Sequence, residues 1–197
     1  MHPILAAAAG LSTYPVGAYL HEGAHAVAAK LLYKDPKIDI QVRGFLGWDS
    51  SFGFDPSSAD ASLSSLGKKL GKRVSIVLTT VVGPLANACA CLALTLLFPT
   101  PLMVFGTAPY LIYLFTIAIQ PFVNSITFKS QHIGDFGEIW RVGGDTGYAL
   151  SFLATALIIA KTIEPLLRTY PPMAVLGIGS LAVLLFSIAV HRSSPNA

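Results

Sequence analysis

Charge is what this chain has least of. Asp, Glu, Lys and Arg together make up 12% of its 197 residues, about half the share of an ordinary soluble domain. A surface wetted on all sides is hard to build from so few charges. The net charge of +3 and the pI near 8.9 do not point to nucleic acid either. The basic residues lie between apolar segments instead of gathering in one patch, which is a pattern of membrane topology. Cysteine is almost absent: Cys89 and Cys91 are the only two. Both fall in one apolar segment, where a spacing of two turns them to different faces of a helix, so they read as packing residues with no disulfide. The chain begins without a basic n-region, so no cleavable signal is expected. It also lacks sequence repeats, and its one biased stretch is the Ser-rich PSSADASLSSLG.

What is present is apolar sequence, 53% of the residues, with a mean hydropathy of +0.64. Several stretches approach or exceed the ~20 apolar residues that a spanning helix needs. Five spans are expected: about Pro3 to Leu32, Val74 to Phe98, Pro101 to Val123, Tyr148 to Leu167 and Met173 to Val190. The fourth is interrupted by Lys161 and Glu164, and the fifth is close to the minimum length. The fold class is therefore an all-α membrane protein, a multi-pass helical bundle of about five spans, organised as a single integral-membrane domain over residues 1–197.

If all five spans cross, the segments after the first, third and fifth share one side. That side receives Lys30, Lys34, Lys37, Arg43, Lys68, Lys69, Lys72, Arg73, Lys129, Arg141 and Arg192, which is eleven of the thirteen basic residues. By the positive-inside rule this side and the C-terminus are cytoplasmic, and the N-terminus faces out. Between the first two spans, Lys37 to Phe54 alternates Ile38, Ile40 and Val42 with Asp39, Gln41 and Arg43, a strand period. The glycines that follow suggest a turn and a second strand, a small β-hairpin.

Against this apolar background, the first span carries YLHEGAHAVAAK from Tyr19 to Lys30. His21-Glu22-Gly23-Ala24-His25 reads H-E-x-x-H. Four residues of helix return nearly to the same face, so both imidazoles can reach one Zn2+ while Glu22 is placed to act as general base. Ionisable groups in a spanning segment are costly and are functional by default. A catalytic zinc site usually takes a third protein ligand and keeps one position open. Candidates for that ligand lie in NSITFKSQHIGDFGEIW, Asn124 to Trp140, a polar segment on the cytoplasmic side that offers His132, Asp135 and Glu138. Asp135 is favoured by its place beside Gly134, where the backbone can approach a site closely. In the second span, Gly83-Pro84 should loosen the helix. Asn87 can hydrogen-bond across to a neighbour and is a candidate for substrate contact.

HEGAH in the first span, VVGPLANACACL (Val81 to Leu92) in the second, and an Asn followed by Gly-Asp after the third together resemble the site-2 protease family, the intramembrane zinc metalloproteases. The resemblance covers about Tyr14 to Val142, with the spans at about 148–190 additional to it and no room for accessory domains. H-E-x-x-H alone is shared with many soluble zinc peptidases. Its pairing with G-P-x-x-N in the next span is more specific. The resemblance implies His21, His25 and Asp135 as zinc ligands, Glu22 as base and Asn124 as a polar group near the substrate. It implies hydrolysis of peptide bonds in or near a transmembrane segment of another protein, within the lipid bilayer. It also implies that the hairpin pairs with an unwound substrate as an added strand.

This chain departs from the family pattern at three points. Thr127 stands where a proline is usual, the Asn-to-Asp spacing is longer, and Phe136 replaces the glycine after the acid. These bear on the third ligand, leaving His132 and Glu138 as alternatives to Asp135, and on whether the chain is an active member. The alternative class is a multi-pass metal-binding scaffold or transporter with the same ligands. A transporter would be expected to show internal repeats, and neither class requires Glu22.

Overall fold

The computed structural model describes residues 3–43, 49–58, 61–97, 111, 114–115, 118–123 and 134–169, and most of these are helical. Helix α1 runs Pro3–Leu32. Proline at the first position loses nothing by lacking an N–H, and the alanine runs that follow favour helix strongly. Beyond its end Asp35 adopts a left-handed φ of 48°, which Asp tolerates better than most residues, and Pro36 cannot continue a helix.

The last carbonyls of α1 would otherwise lack partners, and a segment from later in the chain supplies them. Ser64 donates its N–H to Leu32 O at 3.0 Å and its Oγ–H to Leu31 O at 2.6 Å. The same Ser64 Oγ accepts from Gly67 N–H at 3.1 Å and so caps α2, Ser65–Leu70. Gly67 is where α2 touches α1: a Cβ there would stand 2.1 Å from the Leu32 carbonyl oxygen.

Between α1 and α2, strands β1 (Gln41–Arg43) and β2 (Asp49–Ser51) pair antiparallel with Gln41 opposite Ser51. This is the expected hairpin, with shorter strands. Past β2, Phe52 and Phe54 return to α1, where with Ile38 and Leu63 they cover buried Ala29, Leu32 and Tyr33.

Helix α3, Lys72–Leu97, packs against α1 and against α4, Gly134–Thr169. Its neighbours near Ala88 and Cys91 include Leu111, Leu114 and Ile159. Helix α4 is not one rod. Gly144, with φ 66° and ψ −168°, breaks it, and the chain folds back there. Eight residues of straight helix span about 12 Å, yet the rings of Trp140 and Tyr148 stack at 4.7 Å. Phe136 and Ile139 from the first arm share a cluster with Tyr148 and Phe152 from the second. The break exposes carbonyls at the negative end of the first arm. Arg73 at the start of α3 caps them, donating to Val142 O at 2.6 Å and to Gly143 O at 2.9 Å.

This arrangement corrects one expectation. From Gly134 onward the segment between the third and fourth spans is helix and not a polar loop. Phe136 and Ile139 are fully buried, Asp135 lies in the first turn where a carboxylate suits the helix dipole, and Arg141 pairs with Glu138 one turn earlier. Among the described residues, two helical stretches are long and apolar enough to cross a membrane, Lys72–Leu94 and Gly134–Glu164, the second of them including the break at Gly144. Of the other expected spans, α1 is helical throughout, the third is helical at 111, 114–115 and 118–123, and Met173 to Val190 lies outside the described residues.

The break at Gly144 makes a prediction. Its backbone conformation is nearly confined to glycine, so Gly144→Ala should cost about 1–3 kcal/mol. Gly147→Ala, in regular helix with its nearest neighbour at 3.8 Å, should be neutral or stabilising by up to about 1 kcal/mol. Thermal unfolding of the two variants in detergent measures the contrast.

Candidate metal centre

His21 and His25 lie one turn apart on α1, and their rings meet edge to face with centroids 4.7 Å apart. The first arm of α4 brings Asp135 to them. Asp135 Oδ2 is 2.9 Å from His21 Nε2 and 3.5 Å from His25 Nε2. The three donor atoms all fall within 4.8 Å of one another. Ligands on a tetrahedral zinc, each about 2.0–2.1 Å from it, stand roughly 3.3 Å apart. Two imidazole nitrogens and a carboxylate oxygen gathered this closely form a group that could hold a metal ion, and their chemistry suits zinc.

The far edges of both imidazoles are held by α3. His25 Nδ1 lies 2.6 Å from the Thr79 carbonyl oxygen. A carbonyl can only accept, so Nδ1 carries a proton there, and Nε2 is the nitrogen left to face Asp135 and to ligate a metal. His21 Nδ1 lies 3.1 Å from the Asn87 amide nitrogen. Thr79, Gly83 and Asn87 are spaced by four and so form one stripe on α3. His25 faces the start of that stripe and His21 its end.

Gly83 occupies the middle of the stripe, and here the absence of a side chain matters most. A Cβ at this position would stand 2.3 Å from His25 Nε2 and 2.9 Å from His21 Nε2. The next residue, Pro84, has no N–H to return to the preceding turn and pushes on a carbonyl there. The Thr79 and Thr80 hydroxyls each bond back to the carbonyl four residues earlier, at 2.8 and 2.9 Å, which satisfies them inside the bundle. On the outer side, the Phe52 ring covers His25 at a centroid distance of 5.5 Å.

Of the residues singled out from sequence, His21, His25 and Asp135 converge as a group that could hold a metal ion. Glu22, between them in sequence on α1, is 4% exposed and interacts electrostatically with His25. Glu138 is turned elsewhere, into its ion pair with Arg141. Asn87 does reach across to a neighbouring helix, and the group it meets is a histidine of the site. Asn124 and His132 lie outside the described residues. Sequence reading missed Thr79, Gly83 as a contact and Phe52. The four-residue spacing of Thr79, Gly83 and Asn87 was the available signal for the first two. No family model, curated protein or solved structure matches this chain.

Gly83→Ala should therefore push both Nε2 atoms off their present positions and remove most of whatever metal the group holds, zinc being the ion to assay first. Gly23→Ala, on α1 with nothing within 4 Å of the added carbon, should keep it. Zinc content of the purified proteins by elemental mass spectrometry distinguishes the two.

Proposed function

We propose that this chain is a zinc-dependent intramembrane endopeptidase of the site-2 protease type. It would hydrolyse peptide bonds in or near transmembrane segments of other membrane proteins. The observation that carries the reading is the meeting of His21 and His25 on α1 with Asp135 from α4, beside a buried Glu22. An ionisable carboxylate kept buried in an apolar helix next to a metal-ligating histidine is by default functional.

His21, His25 and Asp135 would hold the ion, with α3 fixing the direction of the two imidazoles. Bound zinc supplies Lewis acidity toward water and the scissile carbonyl. Glu22 accepts a proton from the attacking water and returns it to the leaving amine. Phe52 and the hairpin beside it cover one side of the centre. An unwound substrate segment has a strand edge there with which to pair.

The membrane setting is supported by the outward faces. Val16, Leu20, Val27 and Leu31 on α1, and Leu150, Leu153 and Leu157 on the second arm of α4, are exposed large hydrophobics. Apolar stripes of this extent suit lipid better than water. The five-span bundle rests on the apolar stretches of the sequence, and its cytoplasmic C-terminus on the distribution of Lys and Arg. Arg73 bonding Val142 O is consistent with the two basic segments sharing a side. A reporter fused after Ala197 should report from the cytoplasm and one fused before Met1 should not. The opposite pattern would remove the cytoplasmic placement of the site.

The decisive experiment is Glu22→Gln. The amide keeps size and hydrogen bonding but cannot take the proton. Zinc content should be retained while cleavage of a single-span substrate falls by ~10²–10⁴-fold. Cleavage at the parent rate with zinc bound would sink the protease reading. A metal-binding scaffold would then be the better description.

A further inference from the structure

We propose that Asn87 is a positioning residue for the metal, acting through His21, and that it makes no contact with substrate. The inference rests on the metal-binding part of the function proposed above and not on proteolysis. Asn87 is 1% exposed, and its amide nitrogen meets Nδ1 of His21 at 3.1 Å. Nδ1 and Nε2 lie on opposite edges of the imidazole ring. A group at Nδ1 is therefore behind the histidine as seen from Asp135, which approaches Nε2 at 2.9 Å. A substrate at the metal has no line of contact with it.

The two imidazoles are served differently. His25 gives its Nδ1 proton to the Thr79 backbone carbonyl, which no change of side chain removes. His21 depends on a side chain. A metal-ligating Nε2 has no proton, so Nδ1 must carry it and needs an acceptor. The Asn87 amide supplies one by turning its oxygen toward the ring, since the two ends of an amide occupy nearly the same space. Asparagine can thus follow either tautomer of His21, donating to a bare Nδ1 or accepting from a protonated one. Aspartate can only accept, which matches the ligating tautomer. Leucine, of similar size, can do neither.

The test compares the parent with Asn87→Leu and Asn87→Asp as full-length proteins in detergent, measuring zinc affinity by competition with a chromophoric chelator. Asn87→Leu should bind zinc 10–100-fold more weakly, the usual loss when a ligand's hydrogen-bond partner is removed. Asn87→Asp should bind at least as tightly as the parent. A buried amide with a merely structural role predicts the reverse order, because a carboxylate in that place would disturb the packing more than leucine does. Parent-like affinity in Asn87→Leu, or a loss in Asn87→Asp as large as in Asn87→Leu, overturns the inference. Should Asn87→Leu fail to fold, Asn87→Asp decides alone: parent affinity supports the role, and a tenfold loss removes it. A parent that binds no zinc defeats the metal centre and this inference together. A parent that binds zinc beside an unaffected Asn87→Leu defeats this inference only.

Discussion

The close approach of α3 to two imidazoles at Gly83 is the constraint on which the rest of the structure depends. With the Cβ of any other residue only 2.3 Å from His25 Nε2, the helices could not lie where the Thr79 carbonyl and the Asn87 amide reach the far sides of the rings. Glycine is a poor helix former, by about 1 kcal/mol relative to alanine, and proline beside it is worse. Two poor helix formers in the middle of α3 are tolerable only if the contacts they allow are worth more. Here they allow hydrogen bonds to both histidines, and unpartnered buried polar groups would each cost about 1–3 kcal/mol. The weak turn and the polar site are one feature.

The third member of the site is placed by a different device. Asp135 sits on a short arm that ends at Gly144, so its position follows from how that arm is tied down. The ties are visible: Arg73 on the arm's last carbonyls, Phe136 and Ile139 in the core, and Trp140 stacked on Tyr148 while donating to Asp145 at 2.8 Å. Tyr148 in turn donates to Ala118 O at 2.7 Å. These contacts tie the arm to α3, to the core and to the second half of its own helix. Phe136, which stands where the resembling family has glycine, is part of this anchorage.

Sequence made the histidine pair readable because helical periodicity alone sets two side chains four residues apart on one face. It made a cross-helix bond from Asn87 readable because a buried amide must be satisfied. The partner was not readable, since any polar group on α1 would have met that need. Thr79 was harder to see: it acts through a backbone carbonyl, which every residue carries, so only its spacing of four from Gly83 marks the position. The fold-back at Gly144 was hidden by composition. Glycines and charges from Gly134 to Asp145 read as loop, and only the burial of Phe136 and Ile139 together with the Glu138–Arg141 pair shows why helix prevails there. The hairpin was visible as a period of two. That Phe52 would carry it onto His25 depends on a contact between distant parts of the chain, which local pattern does not encode.

The order of the site's parts along the chain has a consequence for biosynthesis. A ribosome releases the two histidines and Glu22 first, the stripe of Thr79, Gly83 and Asn87 next, and Asp135 last. Synthesis runs from the N-terminus, so the helices become available in that order. The most polar part of α1 therefore meets its hydrogen-bond partners on α3 well before the carboxylate arrives. The nascent chain is spared a long interval with bare imidazoles in an apolar setting, and full ligating capacity waits until the arm before Gly144 has docked. Metal uptake would then report the completion of folding, and would not be its trigger.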